Sequence, residues 1–482
     1  MEALRVNIYG VHLPPTVVVV SLCLLAGASV GALIAFLTAP LALALLFALA
    51  GGLAMLRNIQ VGFWALVGTI CILPFAALPV DIGFAPTFLD LVLIVLFGVW
   101  LVRVMSRENE EFVASPLALP VLIFIGIAVV SFVAGLGHAG LTPNVLRHFV
   151  EIIIGISIFF VVINCVRERS HLEGLVRAII LAGFAEALIG VILYFMPQGM
   201  AVRLLSTLRI VRYPAGWGVL RFIEDNPQLP MRAIATSIDP NILGGLLILI
   251  AALTAPQLFT SRPLIRKVFV APMLAVIGLC MVLTFSRGSF AGLGVALILL
   301  GILRYRRLVL VLAVLGALFF LLPQTQGYVE RLWEGIRGTD LATRMRLGEY
   351  KDALILISRY PLIGVGFAGT PDIDVYIGVS SVYLLIAEQM GLIGLLAFLI
   401  AIAVFFIYTR RGGGGDEGLE AISLGVKVAL AGALVAGILD HYLFNLNFPH
   451  AVTIFWLYMG MGVAVTRLAT FRNSNAAPAS RP

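Results

Sequence analysis

Residues 381–410 read SVYLLIAEQMGLIGLLAFLIAIAVFFIYTR, and from Val382 to Thr409 the one charged side chain is Glu388. An α-helix rises about 1.5 Å per residue, so this run outspans the roughly 30 Å hydrocarbon core of a bilayer. Working outward from it, apolar runs recur near 16–37, 39–56, 59–80, 86–105, 117–137, 147–166, 175–196, 240–260, 267–285, 288–304, 307–323, 420–442 and 448–467. With the first, they give about fourteen membrane spans, 12 to 14 allowing for blurred boundaries in the tight pairs. The 482 residues are 61% apolar and 12% charged, with a mean hydropathy of +1.08. Soluble, disulfide-stapled and disordered classes are excluded; the expected fold is all-α, a polytopic membrane protein.

The runs divide the chain into an amino-terminal transmembrane bundle (1–197), a polar loop (198–239), central spans (240–323), a large loop (324–379), carboxy-terminal spans (380–470) and a disordered tail (471–482). Short loops rich in Arg and Lys stay cytoplasmic. With the amino terminus inside, the inner loops carry Arg57, Arg103 and Arg107, Arg167 and Arg169, Arg262, Arg266 and Lys267, Arg304, Arg306 and Arg307, then Arg410 and Arg411. Both termini are then cytoplasmic and both long segments extracytoplasmic. The start lacks the pattern of a cleaved signal peptide. Cys23, Cys71, Cys165 and Cys280 lie in apolar runs without metal-ligand spacing, so neither disulfide nor structural metal is expected. No internal repeat is evident, which disfavours two-halves transporters.

Outer segments should be poor in positive charge, yet this chain fills them with arginine. Arg203, Arg209, Arg212, Arg221 and Arg232 fall in the first; Arg331, Arg337, Arg344, Arg346 and Arg359 fall in the second; Arg147 and Arg287 lie at outer turns. Only three of the 32 basic residues are lysine. A GC-rich genome accounts for that ratio but not for the outward location. Arginine forms bidentate pairs with phosphate and carboxylate, so an anionic ligand on the outer side is expected.

Two helix starts sharpen this. In Ser237-Ile238-Asp239-Pro240-Asn241, Asp239 suits an N-cap and Pro240 the first helical position, with Arg232 upstream. In Thr284-Phe285-Ser286-Arg287-Gly288, a polar turn precedes another span. Both starts should offer N–H groups and a positive dipole end to an anion. The competing readings are a snorkelling interfacial arginine for Arg287 and a solvated loop charge for Arg232. In the large loop, Leu347, Tyr350, Leu354 and Ile357 recur at helical spacing beside Arg346, Glu349 and Asp352, which predicts an amphipathic helix on the outer interface. Tyr360-Pro361 ends it, and Gly364, Gly366 and Gly369 form a turn before Asp372 and Asp374.

Buried ionisable groups are expected at Asp90, Glu151, Glu186, Glu388, Lys427 and Asp440-His441; such groups are costly in a membrane and either pair structurally or act. Asp440-His441, at the outer end of its helix with His450 across a turn, could form an acid–base couple.

Three segments resemble the O-antigen ligase and polymerase superfamily of bacterial membrane glycosyltransferases. The first is Arg232 followed by Asp239-Pro240-Asn241. The second is Thr284-Phe285-Ser286-Arg287-Gly288. The third runs from Arg346-Leu347-Gly348-Glu349-Tyr350 through Tyr360-Pro361-Leu362-Ile363-Gly364-Val365-Gly366 to Tyr383-Leu384 and Gly391-Leu392-Ile393-Gly394. The resemblance implies a GT-C-like architecture in the bacterial inner membrane, with an extracytoplasmic active site. It implies an undecaprenyl-pyrophosphate oligosaccharide as donor and a glycan acceptor. A chain-length regulator and a flippase would work alongside in the bilayer, and neither nucleic acid nor a cofactor enters.

On that resemblance Arg232 and Arg287 hold the donor pyrophosphate and Arg346 orders donor or acceptor. Asn241, Ser286, Arg344, Ser380 and Tyr383 complete the binding set. The implied reaction is metal-independent and inverting, with the growing charge of the leaving pyrophosphate met by preorganised cations. Where the family has histidine this chain has Ser380, so the base moves to Asp372, Asp374, Glu388 or His441, and repeat-unit polymerisation is favoured over ligation to a lipid or protein acceptor. Tyr213, Trp217, Phe222, Trp333 and Tyr376 are available to stack on sugars. A lipid-linked oligosaccharide flippase and a non-catalytic envelope scaffold are the readings from other classes.

Overall fold

The computed structural model describes residues 39–80, 83–106, 112–323, 326–369, 378–410 and 415–476, with Gly31 and a short pairing of β1 (Asn7–Ile8) with β2 (Val11–His12). The expected span at 16–37, Cys23, Arg107, Asp372, Asp374, Tyr376 and the end of the tail lie outside the described residues. The helices are α1 (Ala39–Arg57), α2 (Gln60–Ile72), α3 (Phe88–Ser106), α4 (Ala118–Gly135), α5 (Pro143–Cys165), α6 (Arg169–Phe195), α7 (Gln198–Thr207) and α8 (Pro240–Thr254). They continue as α9 (Lys267–Leu283), α10 (Arg287–Leu303), α11 (Arg306–Leu321), α12 (Gln326–Arg337), α13 (Leu341–Arg359), α14 (Val382–Thr409), α15 (Glu417–Ala436) and α16 (Pro449–Ala476). A small ribbon pairs β3 (Arg221–Phe222) with β4 (Met231–Arg232).

Every apolar run within the described residues is a helix, and the protein is a multi-pass membrane protein. Eight helices are long and apolar enough to cross a membrane, or nine if the bent pair 306–321 and 326–359 is one span. That is fewer than the expected fourteen because four apolar helices, 42–57, 60–72, 267–283 and 287–303, are shorter, the run 307–323 counts only within the bent pair, and the run 16–37 lies outside the described residues; 17 residues of helix reach only about 25 Å. Two ends also differ from the sequence reading. Helix α2 stops at Ile72 because Leu73 precedes Pro74, whose ring disfavours helical geometry in the residue before it, and the chain then pairs Ala77 with Thr87. Helix α15 stops at Ala436, so Asp440-His441 lies in a following turn, where Val382 N donates to the carbonyls of Gly437 (2.8 Å) and Asp440 (3.0 Å).

The core is built around α8 and α16. Helix α8 is buried at almost every residue, which is why its sequence is apolar all round. Helix α16 packs along α5, and α15 packs against α10 and α8. Apolar side chains such as Phe47, Leu101, Ile302, Leu310 and Ile407 point outward, as lipid-facing residues do. Helix α14 is broken at Gly391 (φ 69°, ψ −178°), a conformation open essentially to glycine. The segment after α13 fills the break. Val365 N donates to Glu388 O (2.9 Å), Gly366 N to Gln389 O (3.0 Å) and Leu392 N to Pro361 O (2.7 Å). Part of the expected outer loop therefore reaches roughly 13 Å down a span.

Candidate functional site

Arg232 ends β4, opposite Arg221 across the ribbon. Ala233 N donates to Leu283 O at 2.7 Å, which ties the strand to the end of α9. The Arg232 guanidinium then donates from Nε to Thr284 O (2.8 Å) and from Nη2 to Asn241 Oδ1 (2.7 Å). One side chain thus joins the Thr284 turn to the first turn of α8. The N–H groups expected to await an anion at that helix start are already used: Asp239 Oδ1 accepts from Asn241 N (2.8 Å) and Ile242 N (3.2 Å). The positive charge here comes from Arg232 itself. Burial lowers its pKa to about 10, against the pull of Asp239 and Asp440, so it stays cationic at neutral pH.

The Thr284–Gly288 turn is tightly folded. Phe285 has a left-handed φ of 52° and stacks on Tyr328 at 4.6 Å. Ser286 precedes α10 without capping it through its side chain; its Oγ lies 2.9 Å from Ser289 Oγ. Arg287 opens α10 and donates from Nη2 to Asp340 Oδ2 at 2.5 Å and from Nη1 to Arg331 O at 3.4 Å. Asp340 also caps α13 by accepting from Thr343 N. Burial alone would raise the Asp340 carboxyl, but the bonds from Arg287 and Thr343 outweigh it and hold it at about 2. Gly335 makes this pair fit: a Cβ there would land on Arg287 Nη1 and 3.0 Å from Cζ.

These groups line one cavity of about 590 Å³. Its polar end presents Arg232, Arg287, Arg331, Arg346, Asn241 and Ser286, with Glu224 and Glu334 also lining it. Its other end is an apolar arm between α10 and α11, walled by Phe290, Gly294, Gly316, Phe319 and Phe320. A second cavity of about 390 Å³ shares Arg287 and Arg346 and adds Tyr350 and Leu439. Of the four arginines only Arg287 pairs with a carboxylate among the described residues. Three guanidinium groups that have no carboxylate partner among the described residues, around one pocket, are chemically suited to hold an anion. Among the described residues no group of three or more His, Cys, Asp or Glu could hold a metal ion.

The other sequence candidates fall in different places. Ser380 N donates to Glu349 Oε2 (2.9 Å), and Tyr350 Oη donates to the carbonyl of Ile438 (2.8 Å) and lies 3.2 Å from that of Ser380, closing the wall between α13 and the 437–441 turn. Tyr383 lines neither cavity; its hydroxyl donates to Leu434 O. Arg344 is exposed and also off the cavities. Glu388 is buried at the α14 break. His441 Nδ1 stands 3.6 Å from Asp440 Oδ1, and burial raises the Asp440 pKa while His441 pulls it down. Tyr213 is buried, its hydroxyl accepting from Phe75 N, whereas Trp217 and Trp333 are exposed. Arg147 bridges Glu151 (2.6 Å) and Asp90 (3.5 Å), with His148 against Glu151.

Helix α13 packs on the protein through a different face from the apolar one expected to lie on the outer interface. Ala353 and Leu356 are buried, while Leu347 and Leu354 are each 58% exposed. Sequence reasoning gave no role to Arg331, Asp340 or Glu349. Asp340 carried a signal, an acidic N-cap ahead of Leu341; Arg331 carried only its outer location.

Residues 272–399 match the family model of the O-antigen ligase (Wzy_C), and the resemblance to the O-antigen ligase and polymerase superfamily stands on that match. It covers α9 to most of α14, and with them Arg287, Arg331, Asp340 and Arg346. Glycan transfer of the ligase or polymerase type by a membrane enzyme is what the match supports. No curated protein sequence matches the chain.

Proposed function

We propose that the protein transfers a glycan from a polyprenyl-pyrophosphate donor to a hydroxyl of a second glycan, on the extracytoplasmic side of the bacterial plasma membrane, and that it acts as a repeat-unit polymerase. The observation that carries this reading is the single cavity with two unlike ends. A lipid-linked pyrophosphate needs dense positive charge and an apolar path beside each other, and the arginine end and the α10–α11 arm supply both.

In the proposed step the acceptor oxygen attacks sugar C1 from the face opposite the pyrophosphate. The C1–O bond to phosphate breaks, its electron pair leaves with the polyprenyl pyrophosphate, and the acceptor proton passes to a base. Negative charge grows on the leaving group, where Arg232 and Arg287 are already held by hydrogen bonds and Arg331 and Arg346 line the same cavity, so cations meet it in place. With Ser380 in place of histidine, we assign the base to His441, whose neighbour Asp440 lies in the field of Arg232 and Arg346 and which follows by two residues Leu439 of the second cavity's lining. A flippase would need charge along the bilayer depth, whereas these arginines gather at one end of the bundle.

The test is mass spectrometry of products after the protein, in lipid nanodiscs, meets an undecaprenyl-pyrophosphate oligosaccharide. A ladder of repeats lost in Arg287→Ala supports the polymerase. A single transfer to an added lipid acceptor, with no ladder, would make it a ligase. Unchanged donor with both acceptors would refute glycosyl transfer.

A further inference from the structure

Glu186 lies in the middle of α6, 0% exposed, and its carboxylate is spent on one short piece of backbone. Oε1 accepts from Thr236 N (3.2 Å), Ser237 N (3.2 Å) and Ser237 Oγ (2.9 Å), and Oε2 accepts from Thr236 Oγ1 (2.8 Å). The backbone it holds is strained. Ala235 (φ 47°) and Ile238 (φ 59°) both adopt left-handed geometry without being glycine, which persists only where surrounding contacts enforce it. One turn along α6, a Cβ at Gly190 would come within 3.3 Å of the Ala235 Cβ, so the same helix face seats the turn by shape as well as by hydrogen bonds. Arg232 enters this turn and Asn241 leaves it, and the two meet at 2.7 Å.

We propose that Glu186 is a positioning residue of the donor site: it clamps the 233–239 turn and thereby fixes the Arg232–Asn241 pair in the cavity without touching substrate. The proposal rests on the donor reading above. It makes a chemical distinction. A glutamine can keep its carbonyl oxygen where Oε1 is and turn its NH2 toward Thr236 Oγ1, which then accepts instead of donating. The clamp therefore needs acceptor geometry and not negative charge. Methionine fills similar space but leaves two buried N–H groups and two hydroxyls without an acceptor.

The experiment is titration of undecaprenyl pyrophosphate, free of sugar, into the full-length protein in nanodiscs, with thermal unfolding of each variant alongside. Glu186→Gln is expected to bind within about threefold of the parent. Glu186→Met is expected to weaken binding about tenfold, approaching Arg232→Ala. A loss of fold alone would lower the number of sites but not the affinity of those that remain. Parent-like affinity in Glu186→Met overturns the clamp, as does Glu186→Gln falling as far as Glu186→Met. Should Glu186→Met fail to fold, the double variant Thr236→Val, Ser237→Ala removes both hydroxyl donors from the other side; a threefold or greater loss is expected, and unchanged affinity overturns the proposal. If Arg232→Ala itself binds like the parent, the donor reading fails and the proposal falls with it.

Discussion

Gly335→Ala separates the arginine chemistry from the fold. A methyl group at 335 would fall on Arg287 Nη1 and 3.0 Å from its Cζ, where carbon contacts normally begin near 3.5 Å. The obstacle is the far end of a flexible side chain and not backbone, so the guanidinium retreats, by roughly 1 Å, and α12 stays. The 2.5 Å bond to Asp340 does not survive in its present form. A misplacement of about 1 Å at a reacting centre can lower turnover about 100-fold. Stability should move little, because alanine is a better helix former than glycine by up to about 1 kcal/mol, which offsets much of the weakened ion pair. The assay is kcat for glycan transfer in nanodiscs beside the thermal midpoint. Turnover within threefold of the parent, in a folded variant, would refute the reasoning that Arg287 works from this position.

Arg331→Ala is expected to lower turnover about 10- to 100-fold, while Arg344→Ala, exposed and off both cavities, stays within threefold; the same product assay decides both. Gly391→Ala forces an L residue into glycine-only geometry and its Cβ onto the Leu362 carbonyl oxygen, breaking buried backbone bonds, for a loss of about 3–6 kcal/mol. Gly126→Ala in α4, with open space around it, should be neutral or stabilising in the same unfolding measurement. The Asp340 carboxyl is held down at about 2, so its pairing with Arg287 contributes fully above pH about 4 and is lost as pH falls from there through about 2. Asp340→Asn should therefore cost about 1–2 kcal/mol, equally at pH 5, 6.5 and 8; a cost that grows across that range would contradict the assignment.

The spans were legible because apolar length is a direct property of the chain, and within the described residues each run is a helix. What length alone does not give is whether a helix crosses. The expected runs 59–80 and 420–442 lost their ends to Pro74 and to the turn at Gly437, local breakers inside an apolar background. Arg232, Arg287 and Arg346 line one cavity as outward arginines with no apolar reason to be there. Tyr383 and Arg344 do not, because a motif fixes order along the chain and not the direction in which a side chain leaves its helix. The face by which α13 packs on the protein, with Ala353 and Leu356, carries no pattern that separates it from the interfacial face. Leu347 and Leu354 are exposed, and beside a bilayer an exposed leucine needs no protein partner.

The break in α14 bears on how the outer loop could be exchanged. Carbonyls of Glu388 and Gln389 left bare in hydrocarbon would each cost several kcal/mol, and the chain covers them with Val365 and Gly366. Gly366 in turn lies directly on Gly135 of α4. Residues 361–366 are thus part of the membrane domain, although they follow the loop in sequence. A chimera that takes acceptor specificity from a related enzyme should be joined between Arg359 and Pro361; a graft carried past that point would need α4 and the first half of α14 from the same donor.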